Sequence, residues 1–225
     1  MTLGSPNDLK EASLGQIRRA TLTTKKQTAP RIGVLAIQGD YDAHAQALRE
    51  SGAIPVLVRK PEELAGLEGL IIPGGESTTF LRFLERDGFL DSLRDFTAST
   101  PTFGTCAGCI LLANTVTHPP QPSLGVLDAT VERNAYGRQI DSSIEDADTH
   151  LGAPYDHGPV EMVYIRAPRI REIGKEVQVL AERDGFPVLV RQGHLLAATF
   201  HPELSSDRRI HRYFVDMVRE QHPRS

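Results

Sequence analysis

Cys106 lies in the segment Gly104-Thr-Cys-Ala-Gly108, with glycines two residues before and two residues after it. A buried strand ending at Phe103 is predicted before this segment, and a short apolar helix over Ala107–Asn114 is predicted after it. A strand, a tight glycine turn and a helix form a nucleophile elbow, which holds the central side chain above the carboxyl edge of a sheet. The positive end of the helix favours thiolate over thiol. The amide N–H of Ala107 would face an oxyanion there.

The segment Phe200-His-Pro-Glu203 supplies a matching base and acid. Residues i and i+2 of an extended segment project to the same side, and Pro202 holds the segment out of a helix. We therefore expect the Glu203 carboxylate to orient the His201 ring and to stabilise its charge. A cysteine activated by a histidine that an acid orients is the general arrangement of acyl-transfer triads. The combination predicts an enzyme that attacks a small carboxamide with the Cys106 thiol.

Two alternatives start from the same cysteines. Cys106 could be a small buried core residue, which is a common state of cysteine. Cys106-Ala-Gly-Cys109 is also a C-x-x-C, which near a βαβ pattern is typical of a thioredoxin-like redox pair. However, the chain has no tryptophan, and a dithiol exchange site has no use for His201 and Glu203. We expect Cys109 to face the core one helical turn from Cys106.

Composition excludes several classes of function. The chain has 225 residues and a net charge of −4, from 25 basic and 29 acidic residues, so neither nucleic acid nor an anionic membrane is an expected partner. No apolar run approaches the roughly 20 residues of a bilayer span, and two cysteines cannot form a disulfide framework. We expect a soluble, cytoplasmic protein. Nucleotide-phosphate loops and Cys/His metal clusters are absent from the sequence, so no metal is expected.

The body of the chain alternates short apolar runs with helical patterns from Arg31 onward. Near-continuous apolar strands separated by helices indicate a parallel sheet covered on both faces. The first predicted elements are strands at Ile32–Ile37, Ile54–Val58 and Leu70–Ile72, and helices at Tyr41–Ser51 and Thr78–Leu84. Later strands, expected as antiparallel additions to the sheet, are Gly125–Asn134, Val160–Ile165, Glu176–Ala181, Pro187–Arg191 and Leu195–Phe200.

The two ends of the chain differ in character. The last helix is the clearest, because its apolar residues from Ile210 to Val218 recur at helical spacing behind the cap signal Ser205-Ser-Asp207. Residues 1–30 are rich in Ser, Thr, Lys and Gln and lack the apolar region of a secretory signal, which predicts a disordered leader. A single enzyme domain is then expected over residues 31–222. The segment Asp141–Gly158 is predicted to be a long loop.

Three motifs in a fixed order carry a family resemblance: Pro73-Gly-Gly-Glu-Ser-Thr78, Gly104-Thr-Cys-Ala-Gly108 and His201-Pro-Glu-Leu204. With them the chain resembles the class I glutamine amidotransferases. More narrowly, it is similar to the glutaminase subunits of pyridoxal 5′-phosphate synthase, the PdxT/Pdx2 family. The narrower match rests on Leu35-Ala-Ile-Gln-Gly39, Pro73–Thr79, Val131-Glu-Arg-Asn134 with Gly137-Arg-Gln139, and Ile165-Arg-Ala-Pro168. These motifs are spread from about Ile32 to the last helix, so the resemblance covers nearly everything except the leader.

The resemblance implies a fold, a reaction and a partner. The fold would be a single-domain, three-layer α/β fold of the flavodoxin-like class I glutamine amidotransferase type, with a mixed, mostly parallel sheet. The reaction would be hydrolysis of L-glutamine to L-glutamate and ammonia, with no cofactor on this chain. The ammonia would pass to a pyridoxal 5′-phosphate synthase subunit of the PdxS/Pdx1 type for vitamin B6 biosynthesis.

The resemblance also implies roles for individual residues. Cys106 would be the nucleophile, His201 the general base and then acid, and Glu203 the orienting carboxylate. Gly75 and Ala107 would be the backbone oxyanion donors, and docking of the synthase is expected to turn the Gly74-Gly75 peptide toward the developing charge. The implied glutamine-binding residues are Gly75, Glu76, Ser77, Arg133, Ile165 and Arg166. An arginine suits an α-carboxylate because it can hold it with two parallel hydrogen bonds.

Three departures from the family pattern leave the triad untouched: Cys109, a longer Asp141–Gly158 segment, and the leader. Other functions compatible with the residues are a related Cys-His-Glu hydrolase, such as a γ-glutamyl hydrolase or a small cysteine peptidase, and a regulatory subunit with a dead site. The intact triad argues against the dead site. Release of ammonia from glutamine, without cleavage of glutamyl conjugates or peptides, would separate the enzymes.

Overall fold

The computed structural model describes residues 28–86, 88–133, 135 and 142–223, which contain twelve strands and five α-helices. The strands are β1 (Arg31–Leu35), β2 (Ile54–Val58), β3 (Gly69–Ile72), β4 (Thr102–Thr105), β5 (Ala113–Thr117), β6 (Leu127–Glu132), β7 (Ser142–Ala147), β8 (Val160–Ile165), β9 (Arg169–Ile173), β10 (Gln178–Arg183), β11 (Phe186–Gln192) and β12 (Leu195–Ala198). The helices are α1 (Tyr41–Glu50), α2 (Ser77–Leu84), α3 (Phe89–Thr97), α4 (Ala107–Leu112) and α5 (Arg209–Gln221). Two short 3-10 helices lie at Pro61–Leu64 and Pro202–Leu204.

A seven-stranded sheet forms the centre, in the order β10-β11-β12-β4-β3-β1-β2. The five strands from β12 to β2 are parallel, and β11 and β10 add antiparallel to the β12 edge. Parallel strands present their carboxyl ends at one edge of a sheet, where ligands bind in α/β folds. The segments that follow β1, β3, β4 and β12 therefore meet at that edge. They include the elbow and His201-Pro-Glu203.

Helices cover both faces of this sheet, as the sequence predicts. The buried strand residues alternate between the two faces, which is the period of a strand. On one face Ile32, Ile71 and Phe103 pack with apolar residues of α1 and α5. On the other face Leu70 and Ile72 pack with apolar residues of α2, α3 and α4. The result is the three-layer α/β fold, with a mixed, mostly parallel sheet, that the resemblance implies.

Strand pairing differs from the prediction in three places. The segment Leu195–Phe200, expected as an antiparallel addition, contains β12, which pairs parallel with β4. β6 lies in a separate three-stranded sheet with β5 and β9, and among the described strands β8 pairs only with β7. Antiparallel addition to the main sheet is correct for β10 and β11 alone. Periodicity identifies a strand, but the partner of that strand is decided by packing between distant parts of the chain.

The segment predicted as a loop over Asp141–Gly158 contains β7. This strand pairs antiparallel with β8 over its whole length, from Ser142 opposite Ile165 to Ala147 opposite Val160. The prediction of a loop is wrong for residues 142–147, and Asp141 itself lies outside the described residues. α3, β5 and β9 were also not predicted. The predicted helix over Ala107–Asn114 ends at Leu112, because the chain continues as β5 with β-branched residues at Thr115 to Thr117.

Most of the predicted leader lies outside the described residues, which begin at Thr28. Pro30 is buried, and its carbonyl accepts a hydrogen bond of 2.8 Å from the backbone N–H of Ile54. The body of the fold therefore includes Pro30, one residue before the predicted boundary. The motif residues Asn134 and Gly137-Arg-Gln139 are likewise outside the described part of the chain.

Candidate active site

Cys106 connects β4 to α4 in a strained backbone conformation, with φ 48° and ψ −103°. A Cβ on Gly108 would lie 2.0 Å from the carbonyl oxygen of Ile72, and one on Gly104 would lie 2.6 Å from the backbone of Gly108. Glycine is therefore required on both sides of the cysteine, as expected for a nucleophile elbow. The N–H of Cys106 donates to the carbonyl of Ala198 at 2.9 Å, which ties the elbow to the strand that leads to His201.

His201 and Glu203 lie beside the elbow. Nδ1 of His201 is 2.8 Å from Oε1 of Glu203. Cys106 lines the same cavity as His201 and is close enough to raise the pKa of the imidazole. The backbone N–H of His201 donates to the carbonyl of Val163 at 2.8 Å, which fixes this segment against β8. The structure brings the three side chains together in the order thiol, imidazole, carboxylate.

The backbone between His201 and Glu203 differs from the expected extended segment. Pro202–Leu204 is a 3-10 helix with proline in its first turn, closed by the N–H of Leu204 bonding to the carbonyl of His201 at 3.2 Å. Proline suits the first position of a helix, because its fixed φ fits and its missing N–H is not needed there. The imidazole–carboxylate contact is made all the same, so the prediction of the contact is correct and its backbone reason is wrong.

The surroundings of the triad favour a positive charge on the His201 imidazole and a negative charge on the Glu203 carboxylate. Burial alone would lower the pKa of His201, but its hydrogen bonds with Cys106 and Glu203 raise that pKa to about 10. Burial alone would raise the pKa of Glu203, but His44 and His201 oppose it and bring that pKa down to about 2. At neutral pH the site therefore favours a protonated imidazole beside an ionised Glu203, which keeps a proton ready for a leaving group.

The loop after β3 packs tightly against the triad. A Cβ on Gly74 would lie 2.4 Å from Cε1 of His201, and a Cβ on Gly39 would lie 1.8 Å from the carbonyl oxygen of Gly74. Gly75 has a φ of 147°, which disfavours other residues. Glycine is therefore needed at both Gly39 and Gly74 for this loop to fit between the segment after β1 and the His201 ring.

Glu76, predicted to bind substrate, uses its carboxylate to cap α2. Its oxygens accept hydrogen bonds from the backbone N–H groups of Thr78 and Thr79, at 3.1 and 2.8 Å. Partial burial would raise the pKa of Glu76, but hydrogen bonds from the side chains and the backbone N–H groups of Thr79 and Thr78 lower it to about 2. Its backbone carbonyl accepts from the Gln38 amide at 2.5 Å. A contribution of Glu76 to substrate binding would thus come from a carboxylate already held by the helix.

A cavity of about 260 Å³ opens beside the thiol. It is lined by Gly75, Glu76, Ser77, Cys106, Ile110, Arg133, Ile165, Arg166 and His201. Every predicted substrate-binding residue is among them. Of the predicted site residues, Glu203 lies behind His201, and Ala107 is the first residue of α4, where a backbone N–H has no acceptor within its helix.

Two arginines give the cavity wall its positive charge. Nη2 of Arg133 donates to the hydroxyl of Thr78 at 2.9 Å and lies 3.6 Å from Oε1 of Glu76. Arg166 is exposed at the end of β8 with a φ of 44°, an unusual conformation for a residue other than glycine. Strained backbone of this kind is concentrated at functional sites. The cavity can therefore hold a small anionic molecule beside a nucleophile.

Cys109 lies on the side of α4 that faces the hydrophobic core, as expected. It is fully buried, and burial, together with the nearby Cys106, raises the pKa of its thiol to about 12. The thiolate needed for thiol–disulfide exchange is therefore strongly disfavoured at this position. These observations argue against a redox function for the C-x-x-C segment.

Some residues of the site were not predicted. Ile110 lines the cavity one helical turn after Cys106, a position that the i, i+4 rule could have identified. Gln38 and Thr78 lie within the family motifs, but their contacts depend on the fold. His44 contacts Glu203 from the middle of α1, and no pattern in the sequence signals this contact.

Comparison with known proteins places this geometry in a family. Residues 34–220 match the SNO glutamine amidotransferase family. This chain belongs to that family. Among curated members similar to it, the pyridoxal 5′-phosphate synthase subunit PdxT of Koribacter versatilis is 59% identical over 84% of this chain and 96% of its own length. The PdxT subunit of Thermotoga maritima (strain ATCC 43589) is 48% identical over 84% of this chain and 100% of its own length.

Solved structures agree with the family fold. A crystal structure of a glutamine amidotransferase has a TM-score of 0.76 and 48% identity, covering 83% of this chain and 98% of that chain. A putative GMP synthase subunit from Thermoplasma acidophilum has a TM-score of 0.65 at 18% identity, covering 86% and 96% of the two chains, and shares the fold. Within the described residues, no cluster of His, Cys, Asp and Glu is arranged to hold a metal ion, and no helix is long and apolar enough to cross a membrane.

Proposed function

We propose that this chain hydrolyses L-glutamine to L-glutamate and ammonia and supplies the ammonia to a pyridoxal 5′-phosphate synthase subunit of the PdxS/Pdx1 type. The observation that carries the proposal is that Cys106 and His201 line one cavity with two arginines, while Glu203 is hydrogen-bonded to the His201 ring. Membership of a glutamine amidotransferase family supports the reaction. The names of the PdxT relatives support the choice of partner.

The reaction begins with attack of the Cys106 thiolate on the side-chain amide carbon of glutamine. The C–S bond forms as the carbonyl electrons move onto oxygen, and the N–H groups of Ala107 and Gly75 are the proposed donors to that oxyanion. His201 then gives its proton to the departing nitrogen, so that ammonia leaves and a thioester remains. Glu203 keeps the ring oriented and stabilises its positive charge.

The second half of the reaction returns the enzyme to its starting state. His201, now neutral, takes a proton from water as the water oxygen attacks the thioester carbon. The C–S bond breaks, the thiolate is released beside the imidazolium, and glutamate leaves. Arg133 and Arg166 are proposed to hold the α-carboxylate of the substrate, because both lie on the cavity wall and guanidinium groups pair well with carboxylates. The proposed enzyme domain spans residues 31–222 together with the buried Pro30, and the residues before Pro30 are proposed to be a leader.

The proposed activity is tested by incubating the purified chain with glutamine and a PdxS-type synthase subunit. We expect glutamate and ammonia to appear in equal amounts, while γ-glutamyl peptides remain uncleaved. Cleavage of the γ-glutamyl peptides at a comparable rate would instead support a γ-glutamyl hydrolase. No release of ammonia from any amide in the presence of the partner would contradict the proposal.

A further inference from the structure

Two fully buried histidines, His44 on α1 and His211 on α5, lie behind the triad. Nε2 of His44 is 3.2 Å from Oε2 of Glu203, the carboxylate oxygen that does not face His201. The same nitrogen is 3.1 Å from the hydroxyl of Thr105, the residue before the nucleophile. Nδ1 of His44 is 3.1 Å from Nε2 of His211. The triad therefore continues inward as carboxylate, imidazole, imidazole.

Burial keeps both inner rings neutral. Burial is the main reason that the pKa of His44 is lowered and that the pKa of His211 is lowered further. The charged groups around His44 act in both directions: Glu203 and Asp40 favour its protonation, and His201 and Arg208 oppose it. A neutral imidazole carries one N–H, so each ring donates from one nitrogen and accepts at the other.

The contacts determine which nitrogen carries the proton. An ionised Glu203 only accepts and the Thr105 hydroxyl can accept as well as donate, so Nε2–H is the form of His44 that suits both neighbours of this nitrogen. Nδ1 of His44 is then bare and accepts from Nε2–H of His211. This leaves Nδ1 of His211 as a bare acceptor, and that atom is buried without a hydrogen-bond partner among the described residues. The opposite pair of tautomers would set a lone pair of His44 against the carboxylate and bury an N–H of His211 without an acceptor, which costs more.

Nε2 of His44 is hydrogen-bonded to the Thr105 hydroxyl, and it lies 3.2 Å from Oε2 of Glu203 without forming a hydrogen bond to that oxygen. Oε2 of Glu203 is buried, and no hydrogen bond reaches it from the described part of the chain. The nearby N–H dipole of His44 is therefore the contact available to hold that side of the carboxylate. A carboxylate held at one oxygen only could rotate away from the His201 ring.

We propose that His44 is a positioning residue for the triad: its neutral Nε2–H holds Oε2 of Glu203 so that Oε1 stays on His201, and His211 fixes the tautomer of His44. The inference rests on the proposed glutaminase function. A neutral donor suits this task because it orients the carboxylate without cancelling the negative charge that stabilises the His201 imidazolium. A positively charged group in its place would compete with His201 for that carboxylate.

The test compares His44→Leu with His44→Gln in the full chain, assayed for glutaminase activity with the synthase subunit present. Leucine fills the space without a donor, whereas the glutamine amide reaches the region of Nε2 and can donate. We expect His44→Leu to lower kcat on the order of tenfold with KM changed less than about twofold, and His44→Gln to recover most of the loss. Leu48→Ala is the matched control, because Leu48 is fully buried on the same helix and is outside the triad. It should lower the melting temperature and leave kcat unchanged.

The possible results separate this inference from the function on which it rests. An unchanged kcat in His44→Leu, a His44→Gln variant as slow as His44→Leu, or an equal loss in Leu48→Ala would overturn the positioning role. A wild-type chain that releases no glutamate would instead overturn the proposed function. Should His44→Leu fail to fold, nitrogen NMR of the wild-type imidazoles decides without an activity assay. Neutral Nε2–H tautomers of both rings at pH 7 support the inference, and an Nδ1–H or doubly protonated His44 contradicts it.

Discussion

His201 holds the proton on which both halves of the proposed reaction depend. Its pKa is raised from 6.5 to about 10 by hydrogen bonds that overcome burial, so the native protein binds a proton that the unfolded chain releases above pH 6.5. The corresponding stabilisation is fully present below about pH 6.5 and is lost as the pH rises through about 10. Within this window the free energy of unfolding should fall with pH because of this one group.

This pH dependence is measurable by denaturant unfolding of the wild type and of His201→Asn between pH 6 and 10. We expect the stability difference between the two proteins to shrink as the pH rises through the window. His150→Asn is a suitable control, since His150 is exposed and its backbone N–H bonds to the carbonyl of Leu180 whatever its side chain. A His201→Asn variant whose stability runs parallel to that of the wild type would show that the imidazole carries no extra proton in the native state.

The unequal positions of His201 and Glu203 predict unequal losses of activity. Glu203 contacts the His201 ring through Nδ1 and transfers no proton itself. His201 is the group next to the thiol. Glu203→Gln should therefore lower kcat less than His201→Asn does, with both variants folded. Steady-state kinetics of the two variants checks the order. Equal losses, or the reverse order, would contradict the assigned roles.

Glycine positions decide how the elements approach each other at the sheet edge. A Cβ on Gly75 would lie 3.1 Å from both the Gln38 amide and the Phe80 ring, at a φ of 147°. Gly75→Val should therefore displace the loop that carries the proposed oxyanion donor and lower kcat on the order of 100-fold. Gly66→Val is the control, because Gly66 also has positive φ but has open space around it. It should lose stability without loss of kcat, and an equally inactive Gly66→Val would show that backbone strain alone explains the effect.

The sequence predicts a strand or helix correctly where the pattern lies within the segment itself. The prediction fails where the structure of the segment depends on pairing with another segment. β2 and β8 match their predicted bounds, because β2 is a short continuous apolar run and β8 alternates buried with half-buried residues over most of its length. β7 is a surface strand whose residues, Ser142 to Ala147, are all exposed or half-buried, so its polar sequence resembles a loop. Pairing with β8 stabilises it as a strand, and the sequence of the segment itself gives no signal of that pairing.

The same distinction applies to the active site. Cys106, His201 and Glu203 were predictable because each lies in a short motif, although the local geometry was correct for the glycine turn and wrong for the segment at Pro202. His44 was not, because its function arises only when α1 packs against the end of β4 and the 3-10 helix Pro202–Leu204. Positions that support a site from a distant element carry no spacing signal in a single sequence.

At the scale of the whole molecule, the match to the amidotransferase family extends from residue 34 to residue 220. The described part of the chain is one α/β body with its catalytic candidates at one sheet edge, and the ammonia released there needs an acceptor. Free ammonia would be protonated and would diffuse away, and uncoupled hydrolysis would waste glutamine. We therefore expect glutaminase activity to depend on a docked synthase subunit.

The most direct test is one titration: glutamate formation by the wild type and by Cys106→Ala, measured against increasing synthase subunit. The account predicts a slow wild-type rate that rises and saturates as the partner is added, and no glutamate at any point from Cys106→Ala, whose fold is checked by its melting curve. A wild-type rate that is already maximal without the partner would contradict the subunit role. Glutamate formation by Cys106→Ala at the wild-type rate would contradict the chemistry itself.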